Sequence, residues 1–182
     1  MKVKPAKKPG KVMVELGPTD QTWLAKPGGS VFQLKQILVP VDFSECSRKA
    51  LRYAVPMARQ FDAGLSLVYV VQLAYAFGEF GPTDYPAMEV DMKAEAERQL
   101  GELAAQEIGT SVPFTTRVRV GRPATEIVEA ARQLESDLII IATHGHTGLR
   151  HVLLGSVAEN VVRHAPCPVL TVRQHEREFV ES

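Results

Sequence analysis

The sequence predicts an α/β protein with a doubly wound, mostly parallel sheet covered by helices on both faces. Three observations predict it. From Gln36 onward, short β-branched runs alternate with stretches of helical period, five strands against four helices, as successive right-handed βαβ crossovers require. Two of the runs, Ile37-Leu38-Val39-Pro40-Val41 and Leu138-Ile139-Ile140-Ile141-Ala142, are apolar throughout, which suits strands buried on both sides. A third, Phe114 to Val120, sets Arg117 and Arg119 on one face against Phe114, Thr116, Val118 and Val120 on the other; that alternation marks a half-exposed strand at a sheet edge.

The remaining elements follow from period and capping. Ser44 is placed to cap a helix whose apolar positions, Ala50, Leu51, Ala54, Val55, Ala58 and Phe61, recur at three and four. Pro56 falls inside it and is expected to kink or loosen it, at a cost of about 3 kcal/mol. Leu65 to Val71 reads as the second strand, and a charged helix is expected from about Glu89 to Ile108. Pro123 opens a helix at its favoured first position, with Ile127, Val128, Ala131 and Leu134 facing inward. A helix from Ser156 to about His164 turns Val157, Val161, Val162 and Ala165 to one side, and Pro168 to Val172 supplies the last strand.

Bulk properties limit the function classes. With 182 residues the chain is long enough for one domain with a real core. We expect an arm over 1–35, flexible or docked, a domain over 36–174 and a short tail over 175–182. The arm holds the lysines at 2, 4, 7, 8 and 11 and is rich in Pro and Gly; a solvated tail is the commoner fate of so short a charge run. Apolar residues make up 45% and charged residues 23%, and 21 basic residues balance 21 acidic ones, so no general basic field draws nucleic acid. No apolar run approaches the ~18 residues of a membrane span, and no compact leader follows the basic start, so a cytoplasmic protein is expected, with neither nucleic-acid nor membrane partners. Cys46 and Cys167 lack the spacing of a disulfide framework or a zinc site. Reduced thiols are expected; the alternative is a redox-sensing Cys46 near a helix start, where thiol pKa can fall.

The chemistry lies after the second apolar strand, in Ala142-Thr143-His144-Gly145-His146-Thr147-Gly148-Leu149-Arg150-His151-Val152-Leu153-Leu154-Gly155-Ser156-Val157. Gly145 and Gly148 allow backbone conformations that bring amides close to an anion. Gly155-Ser156 starts a helix whose free amides and dipole suit a phosphate. Such a turn also builds an ordinary β-turn-α unit, and neither a P-loop nor a dinucleotide fingerprint is present. The strands ending at Asp42 and Thr143 are expected to flank the switch point of the sheet, where ligands bind in open α/β folds.

These residues resemble a family. Ile141 to Ala158, together with Ile37-Leu38-Val39-Pro40-Val41-Asp42-Phe43-Ser44 and Ala165-Pro166-Cys167-Pro168-Val169-Leu170-Thr171-Val172-Arg173, are similar to the universal stress protein family, over about 35–173. The resemblance implies a Rossmann-like five-stranded parallel sheet of order 3-2-1-4-5 and a homodimer through the last strand, Pro168 to Val172. It also implies ATP, with Mg²⁺ a companion, as the ligand. ATP-binding members carry a glycine, two residues, a glycine, nine residues, then Gly-Ser or Gly-Thr. Here Gly145 and Gly155-Ser156 match, and Ala142 stands where the first glycine is expected. We expect its single methyl to be tolerated. By the same resemblance adenine and ribose lie against Pro40, Val41, Asp42 and the backbone near Val70, and phosphates against Gly145, Gly155, Ser156 and Val157, with Ala142, His144 and Gly148 in the same turn. Asp42 alternatively serves only to shape the turn before Ser44.

The function expected is that of an ATP-binding stress-response or signalling module acting through nucleotide-dependent dimer or partner contacts. The alternatives are a dimeric interaction protein of the same fold that binds no nucleotide, or a slow ATP hydrolase. No nucleophile, base and orienting residue can be assigned, so no catalytic residue is named and a dedicated enzyme is not expected. His144, His146 and His151 lack the companion ligands of a metal site. Replacing Gly155 by Val is expected to block phosphate while sparing the fold.

Overall fold

A computed structural model describes residues 2–5, 12–15, 33–72, 85–144 and 154–177, with side chains for 33–72, 89–144 and 154–177. The chain divides into two compact units, Met1–Gln33 and Leu34–Ser182. In the first, β1 (Lys2–Pro5) and β2 (Val12–Glu15) pair antiparallel, with Lys2 opposite Glu15 and Pro5 opposite Val12. Four-residue runs are too short to declare a period.

The second unit contains β3 (Gln36–Pro40), α1 (Glu45–Phe61), β4 (Gly64–Val71), α2 (Tyr85–Glu107), β5 (Phe114–Val120), α3 (Pro123–Gln133), β6 (Leu138–Ala142), α4 (Ser156–His164) and β7 (Val169–Val172). Its sheet has the order β5-β4-β3-β6-β7 with every pairing parallel. Counted within this unit, that is the expected 3-2-1-4-5. The chain winds outward from β3 to β4 and β5, then crosses back through α3 to begin β6 on the other side of β3. The winding therefore reverses between β3 and β6.

Alternation along each strand divides the core. Ile37, Val39, Leu65, Leu67 and Ile140 face one side, where α1 and α2 cover them with Leu51, Ala54, Leu100 and Leu103. Leu38, Val68, Ile139 and Ile141 face the other, under Ile127, Val128 and Ala131 of α3 and Ala158 and Val161 of α4. Because β3 and β6 contribute to both clusters, Ile37–Pro40 and Leu138–Ala142 must be apolar throughout. On α4 the buried pair is Ala158 and Val161, while Val162 is 47% exposed; its expected inward stripe was drawn one position too wide.

Ser44 caps α1 as expected, its hydroxyl accepting from the Ser47 amide at 3.2 Å. Pro56 does not break the helix, which continues for 17 residues to a left-handed Asp62 cap. The proline removes one donor, but α1 presses Ala50, Leu51, Ala54 and Ala58 onto the sheet at 0% exposure, and that packing holds the helix together. Among the described residues no helix is long and apolar enough to cross a membrane.

Candidate functional site

The pairing of β3 with β6 ends just before a proline. Val41 donates its amide to Val68 at 2.9 Å and Lys35 accepts from Gly64, so the odd-numbered residues of this strand bond toward β4. Pro40 must then present its nitrogen to β6, and it has no hydrogen to give. The ladder to β4 runs through Pro40 and Val68, whereas the ladder to β6 is confined to Ile37 with Leu138 and Leu38 with Ile139. The pairing of β3 with β6 therefore stops two residues short of the end of β3, at the point where the winding reverses.

The rim on the β3 side is a tight turn. Asp42 is half-buried, and its Oδ1 accepts from both the amide (3.0 Å) and the hydroxyl of Ser44. Its own amide donates to Ser47 Oγ at 3.3 Å. Phe43 takes φ of 63°, a left-handed conformation uncommon for a residue with a side chain. Its ring packs on Tyr69 at 4.6 Å between centroids, tying the turn to the end of β4. Val70, two residues beyond the β4 partner of Pro40, lies at the same end of the sheet on the α3 face, whereas Val41 is buried on the α1 face.

The opposite rim is the start of α4. The Gly155 amide donates to the Thr143 carbonyl at 2.7 Å, which places the helix start against the end of β6. Gly155 is the N-cap residue and offers no side chain to the first-turn amides, in contrast to Ser44 on α1. Ser156 and Val157 open the helix, Ser156 exposed and Val157 half-buried. Thr143 is buried, donates its amide to Val172, and shares a hydrogen bond of 2.9 Å with His144 Nδ1.

Pro40, Val41, Asp42, Val70, Ala142, His144, Gly155, Ser156 and Val157 thus all lie at or next to the carboxyl ends of β3, β4 and β6. Gly145 and Gly148 lie outside the described residues, as do His146, Arg150 and His151. Ala142 ends β6 in regular register with Val172, its methyl packed on the α1 side of the core; extended backbone there makes no demand for glycine. Reasoning from sequence passed over Phe43, Tyr69, Ser47 and Thr143, whose roles depend on contacts between distant segments. Among the described residues no group of three His, Cys, Asp or Glu gathers as a metal site.

Cys46 speaks against the redox alternative. It sits at the helix start but is buried, and burial foremost, with the carboxylates of Asp42 and Glu45, pushes its thiol above the ordinary value despite Lys49. That environment suppresses the thiolate instead of stabilising it. Burial also raises Cys167.

Residues 33–173 match the family model described as the universal stress protein family. A universal stress protein of Methanocaldococcus jannaschii is 36% identical over 144 residues, 79% of this chain and 85% of that one. The solved universal stress protein UspA from Lactobacillus plantarum superposes with a TM-score of 0.62 at 28% identity, covering 78% of this chain and 99% of that one. A universal stress protein from Archaeoglobus fulgidus, solved in complex with dAMP, shares the fold at 21% identity and a TM-score of 0.53, covering 79% and 99%. A continuous family match, a relative above 30% identity and the same sheet order agree: the chain belongs to the universal stress protein family.

Proposed function

We propose that this chain binds ATP in the crevice between β3 and β6 and works as a stress-response or signalling module whose nucleotide alters dimer or partner contacts. The observation that carries the reading is the pairing of two devices at one end of the sheet. Pro40 ends the β3–β6 ladder early, and α4 begins there from an N-cap with no side chain. The crevice gives an adenine ring apolar walls in Pro40, Val41 and Val70. A helix start uncapped by its own side chain offers amides to phosphate oxygens, with the Ser156 hydroxyl beside them. Asp42, its orientation fixed by Ser44, supplies a carboxylate to accept from a ribose hydroxyl or to hold Mg²⁺. His144, Gly145 and Gly148 fall in the sequence between β6 and α4 and would line the phosphates. The Archaeoglobus fulgidus relative solved with dAMP supports a purine ligand for this fold.

A homodimer through the free edge of β7 and a cytoplasmic location belong to the same reading. The test is direct. Nucleotide extracted from the purified protein is identified by mass spectrometry, and the melting temperature is followed against ATP concentration. Adenine nucleotide in the extract, or a melting temperature that climbs with ATP, is expected. Neither result would leave the nucleotide-free interaction protein as the better description. Light scattering with and without ATP then tests whether the nucleotide alters the dimer.

A further inference from the structure

A second feature lies at the opposite edge of the sheet, away from β7 and from the nucleotide crevice. A cleft of about 390 Å³ is lined by Lys93 and Glu97 of α2 and by Thr116, Arg117, Val118 and Arg119 of β5. Its four consecutive strand residues come from both faces of β5. Val118 packs with the core beneath α1 and α2, while Arg119 bonds to Glu126 and Gln133 of α3. The cleft therefore follows the margin of the strand, where an added strand would lie.

The backbone at that margin is presented for pairing. Leu65 donates to the Pro113 carbonyl and Gly121 donates to Val71, so the odd-numbered residues of β5 face β4. In a parallel ladder the alternate residues turn both polar groups the other way. The N–H and C=O groups of Phe114, Thr116, Val118 and Val120 thus face the open edge, where no strand pairs with β5 among the described residues.

Charge selects the occupant. The Arg119 guanidinium is engaged by Glu126 at 2.7 Å, whereas neither Lys93 nor Arg117 has an ion-pair partner among the described residues. A second copy pairing antiparallel along the whole strand would set Arg117 against Arg117, its central residue, and like charges directly opposite are destabilising. An extended segment bearing carboxylates meets no such repulsion. We propose that the β5 edge docks an extended acidic segment of a partner protein as a sixth strand, with main-chain bonds to Thr116 and Val118 and its carboxylates on the face of Arg117. Main-chain pairing gives such an interface its affinity and side chains its choice of partner. On the α2 face Glu97 stands beside Lys93 and offers no net charge, so that side takes neutral residues and the segment that fits alternates them with carboxylates.

The probe is a fluorescent, end-blocked heptapeptide of alternating Val and Glu, compared with its Val and Lys counterpart by anisotropy on the full chain. The Glu peptide is expected to bind more tightly than the Lys peptide and to weaken with salt. Thr116→Pro removes a donor that only a sixth strand would use; binding should weaken roughly tenfold, with the melting temperature nearly unchanged. Arg117→Glu, at an exposed position, should weaken the Glu peptide about fivefold and narrow the preference. The proposal is overturned if the two peptides bind alike, if the Glu peptide does not bind, or if neither substitution alters binding. Self-association that Arg117→Glu abolishes would also overturn it, in favour of a second copy.

Discussion

The amide of Gly155 donates to the carbonyl oxygen of Thr143 at 2.7 Å, and a Cβ on Gly155 would stand 2.9 Å from that same oxygen. The glycine is thus required by the junction of β6 and α4 before any ligand is considered. The sequence suggested that Gly155→Val would block phosphate and spare the fold; the contact corrects this, because the Thr143 backbone, tied to β7 through its amide to Val172, is not free to swing aside. We expect Gly155→Ala to destabilise by about 1–3 kcal/mol, a fall of roughly 2–10 °C in a chain of this size, and Gly155→Val to do more. Calorimetry without nucleotide checks it, and an unchanged midpoint would show that the junction relaxes freely.

Ser156 separates binding from folding where Gly155 cannot. Its side chain is exposed at the first position of α4, so Ser156→Ala should leave the melting temperature within about 1–2 °C, as surface substitutions do. Loss of one hydroxyl donor to phosphate should weaken ATP roughly three- to tenfold, the equivalent of about 1 kcal/mol. Titration calorimetry of the variant with ATP reads this; full affinity would remove Ser156 from the site.

How far the sequence reveals this molecule depends on the range of each signal. Buried strands and helix faces are written in local periods, so the sheet and the positions of Phe114–Val120 and Ser156–His164 were legible. The periods marked Phe114–Val120 as an edge and the two fully apolar strands as central, while the complete strand order came with family resemblance. Pro56 misled because helix propensity is local, whereas the packing of Ala54 and Ala58 against the sheet is not. The part of the site around Asp42 and Gly155 was visible as residue types. The Phe43–Tyr69 contact and the Gly155–Thr143 approach join segments 26 and 12 positions apart, and nothing in either segment alone announces them.

Pro40 and Ala142 make opposite predictions. Pro40→Ala supplies an N–H that a parallel ladder would aim at the Ile140 carbonyl, extending the β3–β6 pairing and narrowing the crevice. ATP affinity should fall while the melting temperature holds or rises, and hydrogen exchange at residue 40 should be slow. Ala142→Gly, by contrast, restores the family pattern in a backbone that is already regular strand. It should cost about 0.5–1 kcal/mol of stability and change ATP affinity less than twofold. A large gain in affinity would mean that the Ala142 methyl obstructs the ligand.

Cys46 should be a slow thiol. Its folded pKa lies above the ordinary value of 9.0, first through burial and then through Asp42 and Glu45. The unfolded chain therefore loses its proton first as pH rises, and stability should decline above the ordinary thiol value, not below it. Alkylation by iodoacetamide near pH 8 should be much slower in the native protein than in urea. Denaturant midpoints above pH 9 should fall less steeply in Cys46→Ala than in the parent chain. Rapid native alkylation of Cys46 would restore the redox reading.

The end of the described chain is tied to α1 by two side chains one helical turn apart. Lys49 donates to the carbonyls of Gln174, at 3.0 Å, and Glu176, and Tyr53 donates to that of Arg177. Both side chains are 8% exposed, so the ammonium is buried and depends on these carbonyl dipoles. Ending the chain after Arg173 should cost about 1–3 kcal/mol, since bonds to a charged donor are lost, although water replaces part of them. Lys49→Met removes the charge that needs those carbonyls, so the same truncation in that background should cost distinctly less. A double-mutant cycle in urea measures the difference. Equal losses in both backgrounds would mean that the tail is held by its own packing and that Lys49 does not anchor it.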